Sequence, residues 1–215
     1  MWEKVKKLFA PSDMTVGTPW KKIVAFMIPM LIGNIAQQMY NTVDSIVVGR
    51  YVGDNALAAV GSAGPIFQLL LVLFAGIAVG AGIMVSQYFG AKARDELSET
   101  IGCCITLTIL ASLALMILSP FIVRPLLELL DTPASIIVWC DSYLMILMIG
   151  IGGLAFYNIL SGILRGMGDS VSALLYLLIA TVMNIVLDIF FVKDLQMGVS
   201  GVALATVIAQ TFSGI

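Results

Sequence analysis

The sequence predicts an all-α integral membrane protein, a bundle of six transmembrane helices, and three observations predict it. Hydrophobic residues fill 60% of the 215 positions and charged residues only 11%, against about 25% charged in a soluble domain. The apolar residues gather into six runs separated by charge, Gly or Pro, each near the roughly 20 residues that cross a hydrocarbon core of about 30 Å. Where polar residues interrupt those runs they recur at helical spacing, as stripes along one face.

Residues 1–20, "MWEKVKKLFAPSDMTVGTPW", carry charge but no apolar core followed by a small-residue cleavage site, so they read as a retained cytoplasmic tail with a short amphipathic start. Residues 21–215 read as the six-helix lobe. Its spans are expected at about 23–48, 56–89 (with Ile66 as an alternative start), 100–123, 136–164, 173–192 and 199–215, the last cut off by the terminus. Between the third and fourth, the leucines of "RPLLELLDTP" suit a short helix lying at the interface. Gly76 and Gly80, four apart in "AGIAVGAG", suit close approach of a neighbouring helix. Pro29 and Pro120 each remove a backbone hydrogen bond inside a span and permit a kink.

Cytoplasmic loops are enriched in Lys and Arg. Lys4, Lys6, Lys7, Lys21, Lys22, Lys92, Arg94 and Arg165 fall on one side, and Arg50, Arg124 and Lys193 on the other. Eight against three places both termini in the cytoplasm, as for a multi-pass protein of the plasma or inner membrane. Nothing in the charge pattern suggests nucleic acid. The chain has no His, and Cys103, Cys104 and Cys140 show no ligand or disulfide spacing, so a metal centre, a haem or a His-based catalytic triad finds no support.

The polar stripes carry the functional argument. Thr181, Asn184 and Asp188 fall within about a 60° arc of the fifth span. In the first, Asn34, Gln37, Gln38, Asn41, Thr42, Asp44 and Ser45 share one side, opposite Ile32, Ala36, Met39, Val43 and Ile46. The sixth adds Thr206, Gln210 and Ser213, and the fourth Asn158 and Ser161. At 1.5 Å per residue, Asp44 and Asp188 each stand roughly 6 Å below the outer surface and Thr206 about 10 Å, so the three can meet. A lone carboxylate in hydrocarbon costs several kcal/mol and is kept where it pairs, titrates or lines a pathway. Burial and a second acid favour the neutral form of a carboxyl while Asn, Thr or Gln donors favour the charged one, and a balance of these gives a group that takes up and loses a proton. The alternative is that Asn184 and Asp188 only bridge helices.

The ordered set "NTVDSIVVGRYVGDNALAAVG", "LLELLDTPASIIVWCDSYL", "ILRGMGDS", "MNIVLDIFFV" and "GVSGVALATVIAQ" resembles the multidrug and toxic compound extrusion (MATE) family of cation-coupled antiporters, and most of all its prokaryotic DNA-damage-inducible-protein-like branch. The resemblance implies two six-helix lobes, of which this chain is the N-terminal one, truncated before the second. It implies a cation-coupling site at Asp44, Asn184, Asp188 and Thr206, matched to an Asp of helix 1, an Asn and Asp four apart on helix 5 and a Thr on helix 6. Pro29 matches the helix 1 proline associated with bending, and Asn158 a helix 4 cavity residue. Asn34, Gln37, Asn41 and Gln210 are expected to line the cavity with it.

The function so implied is export of drugs or other organic, often cationic, compounds against H⁺ or Na⁺, with no other cofactor, no enzymatic step, and a second lobe or another copy needed for transport. Oxygen donors alone suit a proton or a hard cation such as Na⁺. Three alternatives compete. A flippase of lipid-linked oligosaccharides, from the same superfamily, would need basic cavity residues. A membrane fragment would not transport. An intramembrane aspartyl protease would use "GMGD", but Asp169 there reads as a helix N-cap in a cytoplasmic loop.

Overall fold

The computed structural model describes residues 17–214, and every described segment of regular structure is helical. The tail residues 1–16, with Lys4, Lys6 and Lys7, lie outside the described residues. The helices are α1 (Pro19–Tyr51), α2 (Asp54–Gly90), α3 (Arg94–Leu129), α4 (Ile137–Ile149), α5 (Ile151–Gly166), α6 (Ser170–Asp188), a π-helical segment (Ile189–Asp194) and α7 (Val199–Ser213). Helices α1, α2, α3 and α6 with its π extension are each long and apolar enough to cross a membrane, α4 and α5 form one broken span, and α7 is a shorter apolar helix of 15 residues.

Glycine sets the first turn. Gly53, at φ 114°, ends α1 and starts α2 two residues later, in a conformation that costs a side-chain-bearing residue dearly. Helix α3 differs from expectation: it runs without interruption through Pro120 and Pro125 to Leu129, absorbing the stretch read as an interfacial helix. Val123 and Leu127, one turn apart, are both fully buried, while Leu129 and Leu130 stay exposed, so the helix packs one side into the bundle core and leaves its last leucines on the outside. The fourth span also differs. It breaks at Gly150 with a bend of 56° between α4 and α5. Gly150 has φ −86°, open to any residue; the reason for Gly is space, because a Cβ there would run into the Val207 side chain of α7, as one at Gly153 would into Thr211.

The most extensive contacts are α2 on α5, α1 on α6 and α6 on α7. Tight approach between α2 and α5 comes from a different face than expected. Gly76 and Gly80 look onto open space, whereas a Cβ on Gly162 would come 2.8 Å from the Ala78 carbonyl oxygen and one on Gly166 2.7 Å from that of Gly82. The spacing rule holds, but two overlapping small-residue registers exist in "AGIAVGAG", and only the partner helix selects one.

Two apolar clusters result. The larger joins Val47 and Val48, Ala56 to Ile66, Val123, Leu127, Leu144, Leu147 and Val202. A smaller one, at the other end of the bundle, joins Ala78, Ala81, Val85, Cys104, Ile159 and Ile163. Large apolar side chains such as Phe121, 75% exposed, and Ile117, 69%, cover the outside; on a soluble protein they would form an aggregating surface, and on this one they suit lipid.

Candidate functional site

Three helices deliver one polar cluster. Asp44 from α1, Asn184 and Asp188 from α6 and Thr206 from α7 are all buried, Asn184 and Asp188 completely. The Asp44 and Asp188 carboxyls lie within hydrogen-bonding reach of each other. With its amide turned to suit its neighbours, Asn184 donates to Asp44 Oδ1 at 2.9 Å and to Asp188 Oδ2 at 3.3 Å. Its amide oxygen then faces Thr206 Oγ1 across a long 3.5 Å contact, and Thr206 accepts from the Tyr40 hydroxyl at 2.9 Å. Among the described residues Asp188 Oδ1 has no hydrogen-bond donor.

The two acids lie deeper than the sequence suggests, and Thr206 lies where it was expected. Asp44 stands seven residues before Tyr51 and Thr206 seven after Val199, about 10 Å in from each helix end at 1.5 Å per residue. The difference arises because α1 continues past Val48, and because α6 carries on beyond Val192 as a π-helix. All four residues still converge, since the longer α1 and α6 bring Asp44 and Asp188 to the depth that Thr206 already has on α7.

The cluster opens into a cavity of about 720 Å³. Gln37, Asn41, Asn158 and Gln210 line it, together with Asp44 and Thr206 of the cluster. Asn34 does not. It shares the helical face of Asn41 but sits two turns lower, where α1 packs Gly33 against Leu174 and Leu177 of α6 and leaves Asn34 exposed. Other members of the stripes are held by backbone: Thr181 donates to the Leu177 carbonyl, Thr42 to that of Gln38, and Ser213 to that of Tyr176. Asn158 faces the cavity while its amide donates to the Leu154 carbonyl at 2.8 Å. Helix α1 passes through Pro29 unbroken, leaving the Ala25 carbonyl without its intrahelical amide.

Tyrosine was the missed component. Tyr40, Tyr143 and Tyr157 all line the cavity, and Tyr40 holds Thr206. The signal for Tyr40 was available, because it precedes Asp44 by four residues on the same helical face; its ring reads as apolar until a partner for the hydroxyl is known. Asp169 does cap a helix, accepting from the Ser172 amide at 2.9 Å and from its hydroxyl at 2.7 Å, far along α6 from Asp188. Among the described residues no three His, Cys, Asp or Glu gather as a metal site would require.

A family model, MatE, matches residues 29–190. The chain belongs to the MatE family. It is 32% identical over 194 residues to the probable multidrug resistance protein YoeA of Bacillus subtilis, an alignment covering 88% of this chain and 42% of that protein. It is 28% identical over 188 residues to DNA damage-inducible protein F of Escherichia coli, covering 85% and 40%. The solved outward-facing conformation of a multidrug resistance MATE family transporter of the MOP superfamily matches with a TM-score of 0.86 at 32% identity, over 92% of this chain and 44% of that one. The chain therefore spans less than half the length of these MATE relatives, as one lobe does, and is a multi-pass membrane protein.

Proposed function

We propose that this chain is the N-terminal lobe of a cation-coupled exporter of organic, often cationic, compounds, and that Asp44, Asn184, Asp188 and Thr206 bind the coupling ion, H⁺ or Na⁺. One observation carries the reading: two buried carboxyls share a cluster with no basic residue in the lining of its cavity. Two such acids titrate as a pair, not as independent sites, and a proton or Na⁺ between them replaces the counter-charge that the protein does not supply. A cationic compound in the same cavity then competes with the ion electrostatically, which is what exchange requires. Gln37, Asn41, Asn158 and Gln210 offer neutral polar contacts to such a compound, and Pro29 gives α1 a hinge. The names of the relatives support drug export, and their double length supports pairing with a second six-helix lobe, in the plasma membrane with both termini cytoplasmic. The absence of Lys and Arg from the cavity lining disfavours a pyrophosphate-bearing lipid cargo.

The test uses the lobe together with its second half. Asp44→Asn and Asp188→Asn should each abolish ion-driven efflux and leave membrane insertion intact, while Asn184→Ala and Thr206→Ala should weaken coupling less. Transport by Asp188→Asn equal to the parent across pH and Na⁺ concentration would mean that the carboxylate only bridges helices.

A further inference from the structure

The cavity occupies only the part of the bundle nearer the α1–α2 turn. Along α2 its lining runs from Val60 to Ala75 and along α5 from Leu154 to Asn158; beyond those levels the smaller apolar cluster closes the bundle. That closure has two unlike sides. On one, α2 and α5 meet backbone to backbone at Gly82, Gly162 and Gly166. On the other, α5 carries a polar row at four-residue spacing: Tyr157, which lines the cavity, buried Ser161 against the Tyr157 hydroxyl, and half-buried Arg165, within electrostatic range of Tyr157.

Arg165 is the unexplained member. Side chains on a helix lean toward its N-terminus, so Arg165 at the end of α5 leans back toward the cavity floor. The nearest acid in sequence, Asp169, has both oxygens occupied by Ser172. Among the described residues the one ion pair is Arg124 with Glu128, so Arg165 keeps its full positive charge beneath a cavity whose own charges are carboxylates.

We infer that the Tyr157, Ser161 and Arg165 row is the inner route from the cavity to the cytoplasm, sealed by the glycine crossing of α2 and α5, with Arg165 as an electrostatic valve against cations. The hydroxyls of Tyr157 and Ser161 offer oxygen steps to a proton or small cation leaving the cavity. The Arg165 charge raises the energy of any cation beside it, so the route does not leak while the crossing is closed. The glycine crossing packs backbone against backbone with no room for a Cβ, so a larger residue there would force α2 and α5 apart. This inference rests on the proposed orientation and cation cluster but is read out without transport.

The experiment places a single cysteine at the cavity floor, Asn158→Cys, in the chain with Cys103, Cys104 and Cys140 changed to Ser, in inside-out membrane vesicles. Its modification by impermeant cationic (trimethylammonium) and anionic (sulfonate) methanethiosulfonates is followed by mass. Arg165→Gln should speed the cationic reagent about tenfold relative to the anionic one, as expected for removal of one charge from a partly wet site, and Arg165→Lys should behave as the parent. Gly162→Val, which wedges the crossing open, should speed both reagents alike. Equal acceleration of both reagents by Arg165→Gln, no acceleration of either, or a Lys variant that behaves like Gln would overturn the valve. Failure of the cation cluster shows separately, as unchanged Na⁺- or H⁺-binding in Asp188→Asn.

Discussion

Gly150→Ala tests the packing that breaks the fourth span. The substitution asks nothing unusual of the backbone, since φ is −86°. All of its cost should come from the new methyl, which is aimed at the Val207 side chain. Forcing a methyl into occupied space costs about 1–3 kcal/mol. Val207→Ala alone, removing two methyls from a half-buried position, should cost about 1 kcal/mol. Together they exchange a methyl on one helix for space on the other, so the double variant should be more stable than the sum predicts by at least about 1 kcal/mol. Equilibrium unfolding of the purified chain in mixed micelles, followed by fluorescence that includes Trp139 on α4, measures all four corners of the cycle. Additivity within about 0.5 kcal/mol would show that Val207 does not key the break and that the bend has another cause. Loss of cation affinity with the single Gly150→Ala change, restored in the double variant, would further show that the break positions neighbouring Thr206.

Three other outcomes follow from the same contacts. Asp188→Asn should melt no lower than the parent at neutral pH, because its amide supplies a donor to Asp44, worth about 1.5–3 kcal/mol for a charged acceptor; a clear drop would identify Asp188 as structural. Tyr40→Phe should lower stability by about 1 kcal/mol and weaken cation binding, with the ring retained, and an unchanged affinity measured by titration calorimetry would remove Thr206 positioning from its role. Cysteine placed at Lys193 should react with impermeant reagents from the extracytoplasmic side only, and labelling from the cytoplasm would reverse the proposed orientation.

The sequence alone determined the solvent, the helical class and the residues that had to be satisfied inside. Solvent follows from composition, and the stripes follow from a fixed 100° per residue, so Asp44, Asn184, Asp188, Thr206, Gln37, Asn41 and Gln210 could be named before any packing was known. Both quantities are local, and a local pattern survives whatever the tertiary arrangement does with it.

Tertiary structure decided level and partner. Asn34 lies on the right face of α1 but below the cavity, a distinction that angular periodicity does not contain. Gly76 and Gly80 obey the same spacing as the glycines that touch, and only the approach of α5 chose Ala78 and Gly82 instead. The leucines of "RPLLELL" are equally suited to lipid headgroups or to a core until packing buries Leu127 and leaves Leu129 and Leu130 exposed. Tyr40 became part of the polar cluster only when α7 brought Thr206 within 2.9 Å. Each of these choices depends on a surface contributed by residues remote in the chain, and the free energy that settles it belongs to the pair of surfaces and to neither sequence segment by itself.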